Sequence, residues 1–146
     1  MSSRQIQYGA AGGLAGGVVF GAMMAMMGML PMIGKMVGAP SAVAGLVVHL
    51  AISAFIGVTF AVLFRHRAAD RAAGLGYGVL YGAIWWILGP LTLMPLMMGM
   101  GVSWTIAAAT QAAPSLLGHL IYGGILGWTY AQLLRRKEAG TPAVAH

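Results

Sequence analysis

Residues Leu116 to Tyr130 read LLGHLIYGGILGWTY, an apolar run of membrane-helix character that keeps a histidine, His119, near its start. Val47 to Phe64 reads VVHLAISAFIGVTFAVLF and carries His49 in a matching place. Laid over one another, His49–Arg65 and His119–Arg135 agree at seven of seventeen positions at a constant offset of 70. The segments that precede them agree as well: Gly13–Gly28, GLAGGVVFGAMMAMMG, and Gly74–Gly89, GLGYGVLYGAIWWILG, share seven of sixteen positions at an offset of 61. The chain therefore reads as a helical hairpin written twice, residues 8–67 and 72–137, with a short tail at 138–146, all in a single domain spanning 1–146.

Composition places this hairpin in lipid. Of 146 residues, 60% are hydrophobic and 7% charged, with a mean hydropathy of +0.85, whereas soluble domains carry roughly 25% charged residues. Four stretches lack Lys, Arg, Asp and Glu: Tyr8–Leu30, Ser41–Phe64, Ala73–Leu93 and Ser115–Leu134. About 20 residues at 1.5 Å each cross a hydrocarbon core of roughly 30 Å, so each is long enough to span. The expected fold is an all-α integral membrane protein of four transmembrane helices, a tandem parallel repeat of a two-helix hairpin.

The basic residues orient it. Arg4, Arg65, Arg67, Arg71, Arg135, Arg136 and Lys137 fall on one side of the expected spans and Lys35 alone on the other, which puts both termini in the cytoplasm by the positive-inside rule. The net charge of +6 then reads as topology and contact with anionic headgroups, not as a nucleic-acid surface. The first apolar run is longer than the h-region of a signal peptide and is half of a repeated unit, so it is expected to stay in the mature chain. With no cysteine, disulfides, thiolate chemistry, iron–sulfur clusters and covalent c-type haem are excluded.

Small residues recur at every fourth position. Gly13, Gly17 and Gly21 form one stripe and Gly74, Gly78 and Gly82 another; Gly57 lies on the stripe of His49, and Gly123 and Gly127 on that of His119. Such stripes mark close helix packing in membranes, where lipid supplies no hydrophobic drive between helices. Sixteen residues separate each histidine from the arginine that ends its helix, roughly 24 Å, which places both in the extracytoplasmic third. Met23, Met24, Met27, Trp85 and Trp86 are expected to line the space at that depth. Gly89-Pro90 is expected to kink or end the third helix, and each Ala-Pro-Ser, at 39–41 and 113–115, to open a helix.

Two readings of the histidine pair stand side by side. In one, each neutral imidazole bonds a carbonyl or hydroxyl across a helix interface, with Ser53, Thr92 and Tyr122 as partners. In the other, His49 and His119 face one another and hold a haem b iron, Cu(I) or a quinone, because ionisable groups in membrane spans are commonly functional. Eleven of the twelve methionines lie in 23–36 or 94–100; thioethers suit Cu(I), but methionine is also a flexible filler. Catalysis finds little support. The only acids, Asp70 and Glu138, lie in basic segments, so no carboxylate pair, hydrolytic triad or zinc cluster falls within the spans.

The pattern GxxxGxxxGA at Gly13–Ala22, the Ala-Pro-Ser starts, and HL followed by glycine and aromatics, as in HLIYGGILGWTY, resemble a family of small bacterial inner-membrane proteins of unknown function. That resemblance implies four helices, Met-Pro-rich outer connections and a bacterial inner membrane; it implies no activity and carries over only His49 and His119. The expected function is that of a non-enzymatic accessory or assembly subunit, packing against itself as a homo-oligomer or against a larger, respiratory membrane complex. The alternative is a ligand-binding protein built on His49 and His119. A small channel or exporter has less to stand on, since no expected span contains a charge.

Overall fold

The structure, a computed structural model, describes residues 2–102 and 104–139. The tail expected at 138–146 lies, from 140 onward, outside the described residues. Every regular element among them is helical.

Helix α1, Ser3–Met26, starts on a capping box: the Ser2 hydroxyl accepts from Gln5 N, and the Gln5 side chain accepts from Ser2 N. It stops at Gly28, whose φ of +67° is open only to a residue without a Cβ at little cost. A short helix α2, Leu30–Gly34, follows and tightens through a 3₁₀ turn at Lys35–Val37. It folds back on the start of α3, Ala42–Phe64, so closely that a Cβ on Gly45 would stand 1.8 Å from Leu30 O. Ser41 of the first Ala-Pro-Ser caps α3, accepting from Ala44 N at 3.1 Å.

Asp70 caps α4, Arg71–Leu88, by accepting from Ala73 N at 2.9 Å. Gly89-Pro90 neither ends the helix nor sharply breaks it. A π-helical turn, Gly89–Leu93, carries the chain onward into α5, Met94–Met97. The i→i+5 spacing absorbs the missing proline N–H, and Thr92 Oγ1 returns a bond to Ile87 O at 2.8 Å. Helix α6 then runs through Ile106–Ala139 with Pro114 inside it. The second Ala-Pro-Ser is thus no helix start. Thr105 Oγ1 accepts from Ala108 N at 3.1 Å ahead of it, and three alanines at 107–109 let the helix form nine residues early.

The expected four transmembrane helices are corrected to three. Among the described residues, Ser3–Met26, Ala42–Phe64 and Arg71–Met97 are long and apolar enough to cross a membrane. Helix α6 has the length but not the apolarity, because Gln111, Ser115, His119 and Gln132 and four glycines dilute it. With that helix outside the set, the expected pair of equivalent two-span hairpins with both ends on the cytoplasmic side does not hold. What is all-α about the expectation stands.

The long helices lie side by side in the order α3, α1, α6, α4, and α3 meets α4 only weakly. Glycine builds all three of these contacts. A Cβ on Gly13 would fall 2.2 Å from Ser53 O, on Gly17 2.6 Å from the Ser53 side chain, and on Gly21 3.2 Å from the His49 ring. Between α4 and α6, Gly74 meets Gly127 O, Gly78 meets Gly123 O and Gly82 meets His119 O, each within 2.4 Å of such a Cβ. A second glycine face on α1 reaches α6: Gly12 abuts Leu126 O and Gly16 abuts Tyr122 O. At one end of the gap between α3 and α4, aromatic rings bridge it, Phe60 with Tyr81 at 5.5 Å and Phe64 with Tyr77 at 5.3 Å. The Tyr81 and Thr59 hydroxyls share a 2.6 Å bond across it. The other end stays open.

Candidate functional site

The open end is a cavity of about 200 Å³ between α3 and α4, closed over by α2 and α5. Its walls are almost wholly apolar. Six thioethers line it, Met24 from α1, Met29, Met32 and Met36 from the turn around α2, and Met94 and Met97 from α5. Their spacing at three and four residues is what brings each set onto one helical face. Phe20, Trp85, His49 and His119 complete it, with isoleucines of α3 behind them.

The two histidines reach the cavity from different sides and are held differently. His49 is buried, and its Nε2 lies 2.9 Å from Gly17 O of α1. The absence of a side chain at Gly21, where a Cβ would stand 3.2 Å from the ring, is what lets the ring approach that carbonyl. His119 turns its Nδ1 back on its own helix, 2.7 Å from Ser115 O. Of the partners expected for them, Tyr122 instead donates to Ser53 O at 2.8 Å and Thr92 bonds Ile87 O.

Phe20 stands between the imidazoles. Its ring meets His49 edge-on at 5.4 Å and His119 at 4.8 Å. A single haem iron ligated by both rings would require Phe20 to leave the slot, and a tetrapyrrole is several times larger than the volume present. The geometry does not fit haem. No group of three or more His, Cys, Asp or Glu side chains is placed to hold a metal among the described residues.

Of the residues expected around the site, Met24 and Trp85 line the cavity with the histidines, whereas Met23, Met27 and Trp86 do not. Trp86 donates its indole N–H to Ala112 O at 2.9 Å, next to the Pro114 position of α6. Met27 is 43% exposed. The methionines of α2 and α5 and the ring of Phe20 were missed as lining. The 29, 32, 36 and 94, 97 spacings carried the signal, but only the fold-back of α2 and the continuation of α4 through its π turn into α5 bring those spacings to one cavity.

Trp85 Nε1 is buried with no hydrogen-bond partner. An orphaned indole donor in an apolar wall costs on the order of 1–3 kcal/mol unless something accepts from it. Neither a protein-family model, nor a curated protein, nor a solved structure matches the chain.

Proposed function

We propose that this chain is a non-enzymatic membrane protein that binds a lipid-soluble small molecule, about one substituted ring in size, in the cavity between α3 and α4. The observation that carries the reading is the cavity itself, a methionine-lined space where two helices are held apart in an otherwise glycine-packed bundle. Ligand sites in helical bundles are built in this way, concave and apolar with a few polar groups. A void of this size without an occupant would forfeit packing on every wall. A bilayer, by the resemblance a bacterial inner membrane, is the proposed setting, and three helices apolar enough to cross it support that.

The test is a blocked cavity. A Cβ on Gly89 has only the His119 ring at 3.7 Å nearby, so Gly89→Leu fills the space from the wall. Purified protein in mild detergent should show iodobenzene quenching of tryptophan fluorescence that saturates. Gly89→Leu should abolish the saturable part, and Gly76→Leu, at a site with nothing within 4 Å, should retain it. Equal quenching in all three would sink the proposal.

A second reading, the accessory subunit, rests on a different surface. An open apolar groove between α4 and α6, lined by Leu75, Val79, Leu120, Ile121, Ile125 and Trp128, suits a neighbouring helix as well as lipid tails. A stoichiometric larger subunit recovered on gentle purification supports that reading; a solitary monomer counts against it.

A further inference from the structure

The few polar atoms of the cavity can be sorted by what each can still bond. Ser115 donates its hydroxyl to Ala112 O at 2.8 Å and keeps only acceptor capacity. His49 donates from Nε2, since a carbonyl only accepts and Gly17 O therefore fixes the proton there, and its Nδ1 keeps a lone pair. His119 is fixed the other way: Ser115 O holds the proton on Nδ1 and leaves Nε2 with a bare lone pair. That nitrogen faces α4 at Gly89. Four residues earlier on the same helix, Trp85 lines the cavity with its ring, while its unpartnered indole N–H is buried behind that wall and out of a ligand's reach. The lone pair of His119 Nε2 is thus the polar atom that a ligand can satisfy beside α4.

We infer that the ligand is a hydroxylated aromatic ring of the quinol or phenol class, its O–H donating to His119 Nε2. The inference rests on the cavity being a ligand site. Size agrees: an apolar cavity of about 150 Å³ takes up benzene, so the 200 Å³ here holds one ring with small substituents. The wall chemistry agrees too, because thioether sulfur packs well at aromatic edges. A neutral phenol is also suited to a site without a counter-charge. Asp70 caps the far end of α4 from the cavity, so a bound cuprous ion would have no nearby carboxylate to offset its charge.

The experiment compares three rings of one shape: 2,6-dimethylhydroquinone, the corresponding quinone, and meta-xylene, titrated anaerobically into the full chain in detergent and read by tryptophan fluorescence. The quinol should bind about tenfold tighter than the xylene, as one satisfied buried polar group implies. The quinone, which can only accept, should lack that advantage. His119→Phe should erase the quinol's advantage over both. If all three rings bind wild-type protein alike, the inference is overturned while the cavity reading survives. If none binds, both fall. Displacement of bound quinol by stoichiometric cuprous ion would also overturn it.

Discussion

Along the α1–α6 seam the backbones nearly touch, with Gly12 and Gly16 against the carbonyls of Leu126 and Tyr122 and the Phe20 ring filling the hollow over Gly118. The positions 61 and 70 residues away face one another across α3 and α4 and are occupied differently. Ala73 and Tyr77 stand where Gly12 and Gly16 do, Tyr81 where Phe20 does, and Val48 where Gly118 does. Tyr77 and Tyr81 meet Phe64 and Phe60, and that aromatic wedge holds α3 off α4. The opening continues from the wedge to the far end as the methionine cavity, with Ile52 and Ile56 on its wall. Gly12 and Gly16 on one seam, against Ala73 and Tyr77 with the Tyr81 ring on the other, thus decide whether a seam closes or becomes a site.

The direct way to break this comparison is to give the closed seam the residue of the open one. A Cβ on Gly16 already falls 2.6 Å from a backbone carbonyl, which cannot swing aside. Gly16→Tyr should therefore cost more than about 3 kcal/mol, beyond the usual range for overpacking, and yield protein that no longer runs as a monodisperse species in size exclusion. Retention of wild-type thermal stability in detergent would show that the α1–α6 contact is not as close as described.

Much of this arrangement could be read from the residues alone, and the parts that could not share a cause. The extent of α3, the cap at Ser41 and the stripe contacts of Gly13, Gly17, Gly74 and Gly78 follow from apolar length, capping chemistry and a four-residue repeat, all local patterns. Helix α1, expected over Tyr8–Leu30, instead runs over Ser3–Met26 because Ser2 caps it early and Gly28 turns the chain. The second glycine face of α1, Gly12 and Gly16, has the same local signature, and which neighbour each face meets is a tertiary fact. Helix α6 misled for a comparable reason: the second Ala-Pro-Ser copies the first, but alanines upstream let the helix begin before it. The methionine clusters were visible in the chain, and their convergence needed α2 to fold back and α5 to continue α4 past its π turn. Span number was misjudged because freedom from charge is a looser criterion than apolarity, and Gln132 and His119 matter to the second.

Phe20 belongs to both regions, filling the closed seam at Gly118 and lining the open cavity between the imidazoles. It is 5% exposed. Phe20→Ala should destabilise the fold by about 3 kcal/mol as a large-to-small core change. The same variant should gain saturable binding of two-ring ligands such as a naphthoquinol, read in the fluorescence titration. Loss of stability with no change in ligand size limit would place Phe20 in the seam alone.

His49 ties α1 to α3 through one bond, 2.9 Å to Gly17 O. Interhelical bonds of this kind contribute on the order of 1 kcal/mol in membranes, less than isolated-peptide values suggest, because the unfolded helices find other partners. His49→Ala should lower the stability of the α1–α3 pair by about that amount and leave quinol discrimination intact, since the ligand's O–H is assigned to His119 Nε2. A variant with unchanged stability and lost discrimination would exchange the roles assigned to the two histidines.

The smallest effect should come where a glycine lies on neither seam. Gly76 is helical with nothing within 4 Å of an added Cβ, so Gly76→Ala meets no neighbour and gains only helix propensity, at most about 1 kcal/mol. The contrast with Gly78, two residues on, is the point: a Cβ there falls 2.0 Å from Gly123 O, and Gly78→Ala should destabilise the protein. Opposite signs for these two substitutions, measured as shifts in the unfolding midpoint under identical detergent conditions, are expected if proximity across the α4–α6 contact, and not glycine content, sets the packing. Equal signs would mean that α4 can slide or rotate on α6 and that the register of that contact is soft.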